Sequence, residues 1–113
     1  MHELSLIENV LDLALERAQQ HGAEKIETIT LRIGSLAGVD PDALQFAFEV
    51  IKAGSIAEEA ELVIEAVPAE CFCAECAYIF TAADGCCECP SCGTISRDLR
   101  QGRELQLLSL QVI

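Results

Sequence analysis

The sequence predicts an α+β fold: a body of two helices and three strands, interrupted before its last strand by a cysteine-rich segment. Three observations predict it. Two stretches carry apolar residues at helical spacing, three others are rich in Ile, Val, Leu and Thr, two of them closed by Gly or Pro, and all seven cysteines lie between Cys71 and Cys92.

Leu4, Ile7, Leu11, Ala14 and Ala18 form the first stripe, with Ser5, Glu8, Asp12, Glu16 and Gln19 opposite, and His21-Gly22 stops this helix. His21 is read as an exposed end residue favourable to the helix dipole. Lys25 to Ile33 reads as a strand with Ile29, Leu31 and Ile33 on one face, closed by Gly34. Asp40-Pro41 is a helix start, Asp as cap and Pro in the first turn. Leu44, Ala47, Phe48 and Ile51 make the second stripe, and Gly54 ends it. Glu61 to Val67 reads as a second strand before Pro68, and Gly102 to Ile113 as a third. The apolar parity of the third switches between Leu107 and Leu108, so a bulge or a strand covered on both faces is expected. The expected domains are 1–68, completed by strand 102–113, and an excursion over 69–101.

Composition narrows the function. The formal net charge of −12 argues against phosphate-backbone binding, which needs Lys/Arg patches, so no nucleic-acid partner is expected. The charge suits metal cations or a basic protein patch. No apolar run spans a bilayer, and acidic residues at Glu3, Glu8 and Asp12 do not fit a signal peptide, so a cytoplasmic location with no membrane partner is expected. No nucleophile with an orienting base and no phosphate-binding glycine loop is present, which points away from an enzyme.

Cys73-Ala-Glu-Cys76 is followed after twelve residues by Cys89-Pro-Ser-Cys92-Gly93. Two C-x₂-C pairs at this spacing form a tetrahedral thiolate site, because each two-residue gap turns both sulfurs toward one ion. Gly93 permits the tight turn that aims backbone N–H groups at sulfur. Four paired thiolates leave no open position, so the metal is read as structural zinc. Rubredoxin-like iron, in an electron-transfer protein, stays open as the rival, since tetrahedral sulfur suits both metals. An odd cysteine count makes a disulfide framework an unexpected outcome. Cys71, Cys86 and Cys87 are surplus and are read as spare thiols. The alternative is ligand exchange, with Cys87 replacing Cys89 or Cys71 replacing Cys73.

Met1-His2-Glu3 precedes the first helix. Methionine aminopeptidases spare Met before a bulky residue, so the mature chain is expected to begin Met1-His2. The amides of His2 and Glu3 fall at or before the first helical turn, where they have no intrahelical acceptor. Amine, amides and imidazole within two residues can form fused chelate rings of planar nitrogen donors, a geometry that suits Ni(II) or Cu(II) rather than zinc. A merely solvated histidine is the plain alternative.

Several stretches resemble the HypA/HybF family of hydrogenase nickel-incorporation proteins. They are Met1-His2-Glu3-Leu4-Ser5-Leu6, Ile33-Gly34-Ser35-Leu36 through Phe46-Ala47-Phe48-Glu49 to Gly54-Ser55-Ile56-Ala57-Glu58, Glu70-Cys71-Phe72-Cys73-Ala74-Glu75-Cys76, and Cys89-Pro90-Ser91-Cys92. The resemblance covers essentially the whole chain. It implies two helices packed on a small three-stranded sheet with an inserted Cys₄ zinc-ribbon domain. It implies a nickel metallochaperone, with nickel cargo held by His2 with Met1 and Glu3, and structural zinc on Cys73, Cys76, Cys89 and Cys92. The implied partners are a HypB-type GTPase, the precursor of the [NiFe]-hydrogenase large subunit and, for some relatives, urease maturation proteins. A zinc-ribbon adaptor without metal delivery is the competing reading. Glu59 stands where relatives often carry Gly.

Overall fold

The computed structural model describes residues 3–82 and 86–113. In chain order these form α1 (Glu3–Gln20), β1 (Ile26–Gly34), α2 (Pro41–Ile51), β2 (Glu61–Val67), β3 (Glu70–Cys73), β4 (Tyr78–Thr81), β5 (Asp98–Gln101) and β6 (Leu105–Val112). The strands make two three-stranded sheets, ordered β2-β1-β6 and β4-β3-β5. The chain divides into two compact units. The first holds residues 1–31, 39–65 and 106–113, the second 32–38 and 66–105.

In the first unit, α1 buries Leu6, Ile7, Leu11, Ala14 and Ala18. Its end is a Schellman motif: the Ala23 N–H reaches Ala18 O at 3.0 Å and the Gly22 N–H reaches Gln19 O at 3.0 Å, with Gly22 at φ 67°. The α2 start is capped by Asp40, whose carboxylate accepts from the Asp42 N–H at 3.0 Å, with Pro41 in the first turn. The α2 core face is Leu44, Ala47 and Phe48, and α1 packs against α2. Burial of Ile26, Ile29 and Leu31 from β1 and Leu62 from β2 completes this core. Truncating a fully buried phenylalanine such as Phe48 costs about 3–5 kcal/mol. Glu59 forms an ion pair with Lys25.

The last strand departs from one expectation. Leu105, Leu108 and Val112 are exposed, so β6 is not covered on both faces. Among the described residues β6 pairs only with β1, at the edge of its sheet. Leu107 and Leu110, the half-buried leucines, lie three apart, so the parity switch read in the sequence does exist in the strand.

The second unit is organised around a small core of Ala69, Cys71, Cys73, Phe80, Ala82 and Cys89, with Leu36, Tyr78, Cys87 and Leu99 packed against it. β3 is its central strand. It pairs antiparallel with β4 (Cys71 opposite Phe80, Cys73 opposite Tyr78) and with β5 (Cys71 opposite Leu99). Residues 34–36 join this unit through main-chain bonds, Gly34 N–H to Glu104 O at 2.8 Å and Leu36 N–H to Gly102 O at 2.7 Å. That approach requires glycine. A Cβ on Gly34 would lie 2.1 Å from the Gly102 carbonyl, and one on Gly102 would lie 2.7 Å from Ala69 Cα.

Candidate metal centre

Two tight turns carry the four paired cysteines. The first is the hairpin between β3 and β4: Cys73 ends β3, Tyr78 opens β4, and the Ala77 N–H closes the turn on Cys73 O at 2.7 Å. The second lies in a loop pinned by a bridge between Glu88 and Ile95, and there the Gly93 N–H closes on Cys89 O at 2.9 Å. The two turns are the same device. In each, the residue after the second cysteine takes a left-handed backbone, Gly93 at φ 75° and Ala77 at φ 55°. The glycine was legible as a turn signal. The alanine carried none, because an L-residue rarely adopts that conformation.

The turns bring Cys73, Cys76, Cys89 and Cys92 together, with all four sulfurs within 4.8 Å of one another. Cys73 Sγ lies 3.7 Å from Cys92 Sγ, and Cys89 Sγ 3.9 Å from Cys76 Sγ. A tetrahedral ion with metal–sulfur bonds of about 2.3 Å has sulfur–sulfur edges of about 3.8 Å. The donor set therefore fits one tetrahedral ion, zinc or iron. Cys73 and Cys89 are buried and Cys76 and Cys92 exposed, so each turn sets one sulfur in the core and one at the surface.

Polar neighbours orient the sulfurs. The Tyr78 hydroxyl sits 3.5 Å from Cys89 Sγ and 3.0 Å from Ser91 Oγ, and Thr94 Oγ1 lies 3.3 Å from Cys92 Sγ. These contacts split the thiols. The Tyr78 hydroxyl is the main cause that lowers Cys89 to about 6, and the Thr94 hydroxyl lowers Cys92. Cys76 is pushed up to about 12, first by the Cys92 sulfur beside it and then by burial. For Cys73 the Cys76 N–H pulls down, but burial and the Cys92 and Cys89 sulfurs outweigh it and the thiol is raised. Four sulfurs this close cannot all ionise unaided, and a cation at their centre is what would remove the conflict.

Of the surplus cysteines, Cys71 and Cys87 are joined by a disulfide, with Cα atoms 5.9 Å apart, and Cys86 is free and exposed. Spare thiols were expected there. The pairing follows from β3, which buries Cys71, and from the Ser96 N–H bond to Cys87 O at 2.7 Å, which holds the loop that carries Cys87. The separation of 16 residues gave no sign of it.

At the other candidate site, Glu3 opens α1 and is half-buried, so its N–H belongs to the helical turn that has no internal acceptor. Met1 and His2 lie outside the described residues. His21 follows the end of α1 and is exposed.

A family model described as hydrogenase/urease nickel incorporation, metallochaperone, hypA matches residues 1–112. The chain belongs to the HypA family. It is 43% identical over 113 residues, the whole of both chains, to the hydrogenase maturation factor HypA of Picosynechococcus sp.. It is 44% identical, again over the whole of both chains, to that of Synechococcus elongatus. Among solved structures it resembles the solution structure of the Ni metallochaperone HypA from Helicobacter pylori, with a TM-score of 0.69 at 31% identity, covering 100% of this chain and 98% of that one. The α+β architecture with a cysteine cluster is the architecture of these HypA structures. Among the described residues no helix is long and apolar enough to cross a membrane.

Proposed function

We propose that this chain is a nickel metallochaperone for [NiFe]-hydrogenase maturation, with a releasable nickel site at its N-terminus and a structural zinc site in its second unit. Nickel, the cargo, is held by the His2 imidazole with the Met1 amine and the His2 and Glu3 amide nitrogens. Zinc is held by Cys73, Cys76, Cys89 and Cys92. The nickel part is assigned to 1–68 with 102–113 and the zinc part to 69–101; the compact units differ from these bounds in grouping 32–38, 66–68 and 102–105 with the cysteine cluster.

The observation that carries this reading is the start of α1 at Glu3 in a chain matched by the family model from its first residue. A helix that begins at residue 3 leaves the Glu3 amide without an internal acceptor and adjacent to His2. Such a terminus can fray, which suits release better than a closed cage does. The four-thiolate cluster has no position left for an exchangeable ligand, which supports zinc as a fixed component. The chain performs no bond chemistry. It works in the cytoplasm with a HypB-type GTPase and the hydrogenase large-subunit precursor, and the family description extends to urease. The acidic face of α1, with Glu3, Glu8 and Asp12, is the part of this unit assigned to partner docking.

The test is nickel titration of the untagged protein beside His2→Ala and an N-acetylated form. Both changes should abolish the nitrogen-rich site, and nickel binding should weaken as pH falls because protons compete for the same donors. Wild-type affinity in both would place nickel elsewhere.

A further inference from the structure

The region from Arg97 to Glu104 is an exception in an acidic molecule. It holds three of the seven basic residues, Arg97, Arg100 and Arg103, against two of the nineteen acidic ones, Asp98 and Glu104. These five residues line one open cavity of about 570 Å³. Arg100 is already engaged, with a bidentate pair to Asp98 at 2.9 Å and its guanidinium over the Phe72 ring at 4.7 Å. The Glu104 carboxylate accepts from the Gly102 N–H at 2.7 Å. Arg97 and Arg103 are exposed, and neither has an ion-pair partner among the described residues.

The strand between those two arginines is β5, an edge strand. It pairs with β3 on one side, and no strand of the described residues lies along the other. An unpaired strand edge is a template for a further strand. Leu99 packs on the core and Arg100 lies over Phe72, which anchors β5, and no strand of the described residues pairs with its outer edge.

We propose that the open edge of β5 docks an extended acidic segment of a partner protein, which adds as a fourth strand and places carboxylates on Arg97 and Arg103. The chemistry selects a polypeptide over a phosphate ligand. Arg97 and Arg103 stand on either side of β5 in the chain, and the carboxylates of Asp98 and Glu104 in the same lining oppose a dense anion. Ser96 Oγ already accepts from the Asp98 N–H at 3.1 Å, and a docked backbone would pair with the donors and acceptors that remain along the edge of β5. A segment of about six residues or more, acidic at both ends, would span the strand. The surface is independent of the N-terminal nickel reading, since it lies wholly in the second unit.

The experiment uses the full zinc-loaded chain, ¹⁵N-labelled, titrated with three octapeptides of alternating Thr and Val that differ only in their terminal residues: Glu, Gln or Lys. The Glu peptide should shift the amides of residues 97–103 saturably. The Gln peptide should bind about tenfold more weakly, as expected for losing two charge-assisted contacts, and raised salt should weaken the Glu peptide. In R97E/R103E the preference should invert toward the Lys peptide, which also shows that this variant is folded. Should it fail to fold, R97Q/R103Q read against the wild-type peptide series carries the same comparison. No saturable binding of the Glu peptide, equal binding of Glu and Gln peptides, shifts located away from β5, or binding of inorganic pyrophosphate in place of the peptide would each overturn the proposal.

Discussion

Ala77→Gly should tighten the metal site, and Gly93→Ala should loosen it by a similar amount. The two residues close equivalent turns, at φ 55° and φ 75°, each with its N–H on the carbonyl of the first cysteine of its pair. A left-handed conformation costs an L-residue about 1–2 kcal/mol, which Ala77 bears and Gly93 does not. Replacing alanine by glycine also gives back about 0.4–1 kcal/mol of unfolded-chain entropy. The net gain for Ala77→Gly is therefore roughly 0.5–1 kcal/mol, and the net loss for Gly93→Ala is the same size with opposite sign. No collision confuses the second variant, since a Cβ on Gly93 would come no nearer than 3.9 Å to Glu88 Oε1. Where the turns order only around the metal, this energy appears in zinc affinity, as a change of about two- to fivefold in each direction. Competition with a chromophoric zinc chelator measures it. Tyr78 is the chain's only tyrosine, in a protein without tryptophan, and its place beside Cys89 supplies a fluorescence signal for the same transition. If Ala77→Gly weakened zinc binding as much as Gly93→Ala, the equivalence of the two turns would be wrong.

Further outcomes follow from the same geometry. If the proposed zinc site supplies the local folding free energy there, Cys76→Ala or Cys89→Ala should lose one zinc equivalent and unfold roughly residues 70–100 while the helical circular dichroism persists. Tyr78→Phe removes the hydroxyl that is the largest cause of the depressed Cys89 pKa of about 6. A thiol with a depressed pKa contributes stability at high pH that is lost as pH falls through that value, so zinc should be released at a higher pH from Tyr78→Phe than from wild type in an acid titration. Gly34→Ala should destabilise the second unit by about 1–3 kcal/mol or more, measured by urea unfolding, since its Cβ would overlap the Gly102 carbonyl.

Local patterns made the first unit readable. The α1 stripe, the Asp40-Pro41 cap and the 61–67 strand bounded by Pro68 each follow from neighbours in sequence, and the structure reproduces them within a residue or two. The four paired cysteines were likewise marked by spacing. What was not legible depends on long-range placement. β3, β4 and β5 are four residues each, too short for a period to declare itself, and the cysteines that punctuate them serve as core residues as well. The joining of residues 32–38 to the second unit rests on backbone bonds from Gly34, Ser35 and Leu36 to partners about 32 to 70 positions away, at Val67, Gly102 and Glu104. The Cys71–Cys87 link and the left-handed Ala77 leave no trace in residue type. The exposure of β6 follows from its edge position, and its apolar composition pointed the other way.

The central claim is that one chain carries two separable metal sites, a fixed zinc and a releasable nickel. Native mass spectrometry of the untagged protein, incubated with one equivalent of each ion and then passed through a weak nickel chelator, tests it most directly. Before the chelator, wild type should carry one zinc and one nickel and His2→Ala zinc alone. After it, wild type should keep zinc and lose nickel. Nickel retained by His2→Ala, or zinc and nickel displacing each other from a single position, would contradict the two-site account.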